Sequence, residues 1–122
     1  MNTMEQNILN KGQEVNKLPE NYTVIDIETT GLSPALNEII QLSALKIKND
    51  KIVDSFTSFV KPNGRISSFI SSLTGITNDM VSAAPQIKDV LNDYIDFIGK
   101  DIIVGHNVHF DINFIHSKSC LL

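Results

Sequence analysis

The chain has one cysteine, Cys120, so neither a disulfide nor a thiolate metal centre can be assembled from it. Tryptophan is absent, and Arg65 is the single arginine among ten basic residues, which leaves almost no capacity for bidentate guanidinium contacts to base edges. Basic charge is not in excess either, because fourteen acids bring the formal net charge to −4 over 122 residues. A protein that clamps duplex DNA stably normally carries a basic surplus, so that class is disfavoured. An enzyme that holds a short single-stranded end for one turnover is not excluded. No apolar run approaches the length of a membrane span, and residues 1–20 are polar with no signal peptide visible. The expectation is a cytoplasmic protein without membrane contact.

What is present is ordinary globular material. A hydrophobic content of 42% over this length suits one domain, able to bury roughly two thirds of its unfolded surface. Residues 1–20 read as a polar, flexible lead-in closed by Pro19, and the domain is expected to occupy 21–122.

The pattern along the domain alternates between strand and helix periods. YTVIDIE (22–28) is nearly continuous in apolar and β-branched residues, which predicts a strand buried on both faces. In EIIQLSALKIK (38–48), Ile40, Leu42 and Ala44 fall on one face, with Leu45 and Ile47 on the other. The short polar NDK (49–51) then predicts that IVDSFTSFV (52–60) folds back as a hairpin partner, ending at the turn KPNG (61–64). Ile66, Phe69, Ile70 and Leu73 have helical spacing up to Gly75, and a short helix begins at Thr77 or Asn78 and stops before Pro85. The clearest helix is 86–99, with the stripe Ile87, Val90, Leu91, Tyr94, Ile95 and Ile98 and Gly99 at its end. DIIVGHN (101–107) predicts a strand entering a glycine turn, and 108–118 a last helix. Three strands with short links favour an antiparallel meander, and a fourth reached across helices favours parallel pairing. The expected class is α/β with a mixed sheet.

Asp26 and Glu28 interrupt the first strand and, two residues apart, leave the same face. Two adjacent carboxylates in apolar surroundings repel each other and are poorly solvated; a divalent cation resolves both problems. The alternative is an edge strand with both acids in water. Asp111 occupies an apolar-stripe position with Val108, Ile112 and Ile115, which turns it toward the sheet. Its alternative is an acid favoured by the helix dipole in a first turn. Three hard oxygen donors suit Mg²⁺ or Mn²⁺ rather than zinc, and a two-ion site of that kind can serve phosphodiester hydrolysis.

DIETTGL (26–32), LTGIT (73–77) and GHNVHFDINFI (105–115) together resemble the first two motifs, and the stretch between them, of the DEDDh-type 3′–5′ exonucleases. The similarity is greatest to the proofreading exonuclease subunit or domain of bacterial DNA polymerase III. It covers about residues 21–118. The resemblance implies a ribonuclease-H-like fold in which Asp26, Glu28 and Asp111 are catalytic metal ligands for two Mg²⁺ or Mn²⁺ ions. It places Thr29, Thr30, Gly31 and Leu32 around the terminal nucleotide and lines the groove with His106 and Asn107. It further implies a single-stranded DNA (or RNA) 3′ end as substrate and a DNA polymerase subunit as partner. Leu32 reads equally well as a core residue, and His106 as a helix cap.

The family's third motif, a His followed five residues later by an Asp, does not follow Asp111: the remaining INFIHSKSCLL contains no acid. His106 and His109 belong to the second motif, and His116 lies on the Asp111 helix without an Asp after it. The chain therefore reads as a shortened gene product, a fragment or one piece of a larger protein, weak or inactive on its own. Apolar surface is expected to be uncovered on the first and fourth strands, allowing self-association. The competing reading is a non-catalytic module that binds nucleic-acid ends or another protein and needs a partner to complete its fold.

Overall fold

The computed structural model describes residues 19–122; of the lead-in expected over 1–20, residues 1–18 lie outside them. The elements are β1 (Asn21–Thr29), β2 (Ile39–Lys48), β3 (Lys51–Phe59), α1 (Ser68–Thr74), α2 (Asn78–Val81), α3 (Ile87–Ile98), β4 (Ile103–Val104) and α4 (Val108–Cys120). The four strands form one sheet in the order β3-β2-β1-β4. β1 to β3 pair antiparallel, and β4 joins β1 in parallel. The mixed sheet is therefore the expected one.

The hairpin between β2 and β3 turns on Asn49 and Asp50, both at positive φ (50° and 63°). Two such residues match the right-handed twist of the flanking strands, and Asn and Asp tolerate that conformation best among non-glycine residues.

β1 alternates instead of being buried on both faces. Thr23, Ile25, Ile27 and Thr29 are buried, while Val24 and Glu28 are half-buried and Asp26 is exposed. The inward row meets Leu42, Ala44 and the apolar stripes of α3 and α4 in the main core. Within it Leu91, Tyr94, Ile98, Ile112, Phe114 and Ile115 are fully buried, each worth about 1.5–3 kcal/mol of transfer free energy for an aliphatic or Phe side chain. Phe56 tilts against both Tyr94 and Phe97, at 5.5 and 5.7 Å between ring centroids.

A register shift where Glu28 and Thr29 pair with Gln41 and Ile39 leaves Ile40 as an extra residue. The bulge lets neighbours bury on different sides: Ile39 enters the main core, while Ile40 joins Ile66, Ile70, Ile76 and Val81 in a second cluster. The expected grouping of Ile40 with Leu42 and Ala44 is corrected accordingly. The α1 stripe is also only half right. Ile70 and the preceding Ile66 are buried, whereas Phe69 and Leu73 are exposed because this short helix docks through Ile70 alone.

The LTGIT run is explained by its backbone. Gly75 ends α1 at φ 78°, Ile76 is buried, and the Thr77 hydroxyl caps α2 by accepting the Met80 N–H. The uncovered apolar side chains of the sheet are Leu45, Ile52 and Val53, on β2 and β3. They are not on β1 and β4 as expected, since α3 and α4 cover Ile25, Ile27 and Ile103.

Candidate active site

The acidic corner begins where β4 stops. The Thr23 N–H donates to the Ile102 carbonyl (2.8 Å), and β4 pairs with β1 only at Thr23 and Val24. The strand is short and runs into a glycine turn, as read from 101–107: it is confined to Ile103–Val104, and Gly105 turns the chain out toward α4. A Cβ at Gly105 would stand 3.1 Å from the Ile25 carbonyl oxygen, so this close passage favours glycine. Beyond it, the next N–H on that edge of β1, from Ile27, has no strand partner. The Asp111 carboxylate, in the first turn of α4, faces it and is stabilised by it.

Asp111 is 5% exposed, as its place on the apolar stripe implied. Its pKa is pushed up to about 7, first by burial, then by repulsion from Asp26 and Glu28, with the Ile27 N–H opposing. Glu28 is also raised, by partial burial and by Asp26. Burial and the charges of Asp111 and Asp26 keep the Tyr94 phenol firmly protonated, and its O–H donates to the Ser43 carbonyl (2.8 Å) opposite Asp26. Asp26, Glu28 and Asp111 thus share one electrostatic field. Among the described residues, the ion pair formed by a lysine is Lys46 with Asp101, beside Thr23 in the first half of β1.

The donor set suits a hard divalent cation: all oxygen and negatively charged. Yet among the described residues no group of three His, Cys, Asp or Glu side chains is arranged to hold an ion. The three carboxylates converge in potential without forming a closed cage.

Thr29 to Leu32 lead from β1 into a tightly bonded loop. The Thr29 hydroxyl donates to the Gly31 carbonyl (2.6 Å). Thr30 and Glu38 bond reciprocally, Thr30 N–H to Glu38 O and Glu38 N–H to Thr30 Oγ1, both at 2.9 Å. Asn37 Oδ1 accepts the Ser33 N–H (2.9 Å), and its side chain fills the space where a Gly31 Cβ would fall. Leu32 stands 84% exposed, which removes the core reading, and Leu36 is 85% exposed beside it. His106 and Asn107 are exposed at the turn into α4. The N-cap position is Asn107, not His106, and its side chain makes no capping hydrogen bond.

Sequence reasoning overlooked Asn37, Glu38 and Lys118. Lys118 reaches from α4 to the loop and donates to the carbonyls of Pro34 (3.0 Å) and Asn37 (2.6 Å). Glu38 accepts the N–H groups of Asn63 and Gly64. The available signal was the i, i+7 spacing that puts Lys118 on the Asp111 stripe. A cleft of about 440 Å³ opens behind this loop, between Leu36, Glu38, Val60, Ile87 and Lys118, and contains none of the three carboxylates.

Three antiparallel strands and a parallel fourth, with flanking helices, are the arrangement of the ribonuclease-H-like exonuclease fold. Residues 23–121 match the family model described as Exonuclease, and the chain belongs to that family. It is 49% identical over 108 residues to the PolC-type DNA polymerase III of Caldanaerobacter subterraneus subsp. tengcongensis, covering 88% of this chain and 8% of the polymerase. It is 46% identical over 97 residues to that of Bacillus subtilis, covering 80% of this chain and 7% of the polymerase. The chain thus spans less than a tenth of those relatives. Among solved structures, the nuclease domain of 3′hExo, a DEDDh family member bound to rAMP, superposes with a TM-score of 0.70 at 26% identity. That match covers 88% of this chain and 63% of the other. Exonuclease X in complex with 5′ overhanging duplex DNA gives 0.65 at 31% identity, covering 76% of this chain and 52% of that one.

Proposed function

We propose that this chain is part of a 3′–5′ exonuclease domain of the proofreading type, acting on the terminal phosphodiester of a single-stranded DNA end in the cytoplasm. The observation that carries the reading is the shared field of Asp26, Glu28 and Asp111 at the end of β1, in which burial and mutual repulsion raise both Glu28 and Asp111. Asp26, Glu28 and Asp111 would hold Mg²⁺ or Mn²⁺, whose contribution is to activate the attacking water and neutralise the leaving oxygen. The rigid Thr29–Leu32 turn would hold the terminal nucleotide, with exposed Leu32 against its base and the turn's amides near its sugar and phosphate. His106 and Asn107, exposed at the start of α4, would line the approach. The PolC-type relatives support a DNA polymerase as the physiological partner.

These 122 residues by themselves are expected to bind metal while hydrolysing slowly, since they contain no His-and-Asp motif after Asp111 and lack of a general base typically lowers the rate ~10²–10⁴-fold. The test is thermal denaturation with and without Mn²⁺, paired with release of nucleoside monophosphates from a labelled single-stranded oligonucleotide. Stabilisation by Mn²⁺ that Asp26→Asn abolishes supports the site. Unchanged denaturation with Mn²⁺ sinks it, and fast release lost in Asp26→Ala refutes the expectation of low activity. The open arrangement of the three carboxylates favours one second reading, a non-catalytic module that binds nucleic-acid ends and is completed by a partner. Oligonucleotide binding without any metal dependence would select it.

A further inference from the structure

We infer that Lys118 is a positioning residue that fixes the nucleotide-holding turn relative to Asp111. The inference rests on the reading of Thr29–Leu32 as that turn. Lys118 lies on the last turns of α4, two helical turns and about 10 Å along the axis from Asp111, on the same side of the helix. Between them Ile112, Phe114 and Ile115 are fully buried, so α4 is held to the core along the stretch that separates the two charged groups.

The Lys118 ammonium spends its hydrogen bonds on the loop backbone. It donates to Asn37 O at 2.6 Å and Pro34 O at 3.0 Å, and the neighbouring Ser117 hydroxyl also donates to Pro34 O (3.3 Å). The ammonium also lies over the Phe114 ring, with Nζ 6.0 Å from the centroid. Charge-assisted bonds of this kind are about twice as strong as neutral ones.

The residue it grips transmits the position inward. Asn37 accepts the Ser33 N–H through Oδ1, packs where a Gly31 Cβ would otherwise be, and precedes Glu38, which bonds Thr30 twice. Lys118 therefore connects one rigid element bearing Asp111 to a loop whose other end is the Thr29–Leu32 turn. Without the tether, the turn keeps its internal bonds but loses its fixed distance to the carboxylates. The nucleotide would then meet a competent arrangement only part of the time, and its apparent affinity would fall by that fraction.

The experiment is an NMR titration of the ¹⁵N-labelled chain with thymidine 5′-monophosphate in Mg²⁺, using Lys118→Met, which keeps the apolar stem, and Lys118→Arg, which keeps the charge. Lys118→Met should weaken binding about five- to tenfold and speed amide exchange at Leu36 and Asn37. Lys118→Arg should restore affinity to within about twofold, and Mn²⁺ affinity should be the same in all three proteins. Unchanged nucleotide affinity in Lys118→Met, or a parallel loss of Mn²⁺ affinity showing a fold-wide defect, overturns the assignment. If the unsubstituted chain shows no shifts at Thr29–Leu32, the nucleotide reading itself fails and this assignment fails with it.

Discussion

Replacing Asp111 by Asn should stabilise the metal-free protein, and the gain should depend on pH. The carboxylate is raised from 3.8 to about 7 in the folded chain, chiefly by burial and then by Asp26 and Glu28. A group that binds its proton more tightly folded than unfolded supports folding at low pH and loses that support as pH rises toward its folded pKa. Below about pH 4 the two states are equally protonated, and between about 4 and 7 stability declines. At pH 8 the penalty has its full value, whose ceiling is about 4 kcal/mol at 1.36 kcal/mol per pKa step. Side-chain relaxation and water entry reduce this to an expected ~2 kcal/mol. Asparagine keeps a carbonyl for the Ile27 N–H and nearly the same volume, so little else changes. For a domain of about 100 residues the gain should raise the thermal midpoint by about 8 °C or more at pH 8 in EDTA. At pH 5 the difference should shrink below half, and Mn²⁺ should narrow it by stabilising the unsubstituted chain alone. Calorimetry of both proteins at the two pH values decides the matter. An Asp111→Asn protein less stable than its parent at pH 8, or a difference indifferent to pH, would refute the electrostatic account of the acidic corner.

Two further outcomes follow from the loop. Leu32→Ala should leave stability within about 0.5 kcal/mol because the side chain is 84% exposed, yet weaken mononucleotide affinity severalfold; urea unfolding and the NMR titration separate the two. Gly31→Ala drives a methyl to 2.5 Å from Asn37 Oδ1, so Asn37 must release the Ser33 N–H. A loss of about 1–2 kcal/mol in urea denaturation is expected, and combining it with Asn37→Ala should cost less than the sum of the separate changes.

Residues that act through local period were legible before folding. The two-residue spacing of Asp26 and Glu28 put them on one face, and of the stripe read on 86–99 Val90, Leu91, Tyr94 and Ile98 are buried while Ile87 and Ile95 pack half-buried against them. Asp111 was recognisable because an acid on an apolar stripe has no solvated explanation. The misses came from contacts between distant parts of the chain. The bulge that separates Ile39 from Ile40 depends on how β2 meets Glu28 and Thr29, and no period in β2 alone reveals it. Continuous apolar residues suggested that both faces of β1 are buried, but the helices pack on one face only. The Lys118 tether spans 84 residues to Pro34, and Lys at the end of a helix has an adequate explanation in the helix dipole. The metal-ligand roles of the three acids remain proposals, supported by their common field and by family membership.

The abrupt end of β4 has a consequence for how the molecule behaves in company. Where β4 stops, β1 would present a bare backbone edge, the kind of surface on which a strand from another molecule can add. Asp111 stands at that edge with its carboxylate facing the Ile27 N–H, and confronts any incoming carbonyl with negative charge. The side chain is thus also a seal against aggregation. Asp111→Asn keeps the acceptor and should leave the protein monodisperse, whereas Asp111→Ala exposes the donor and should seed oligomers visible by light scattering.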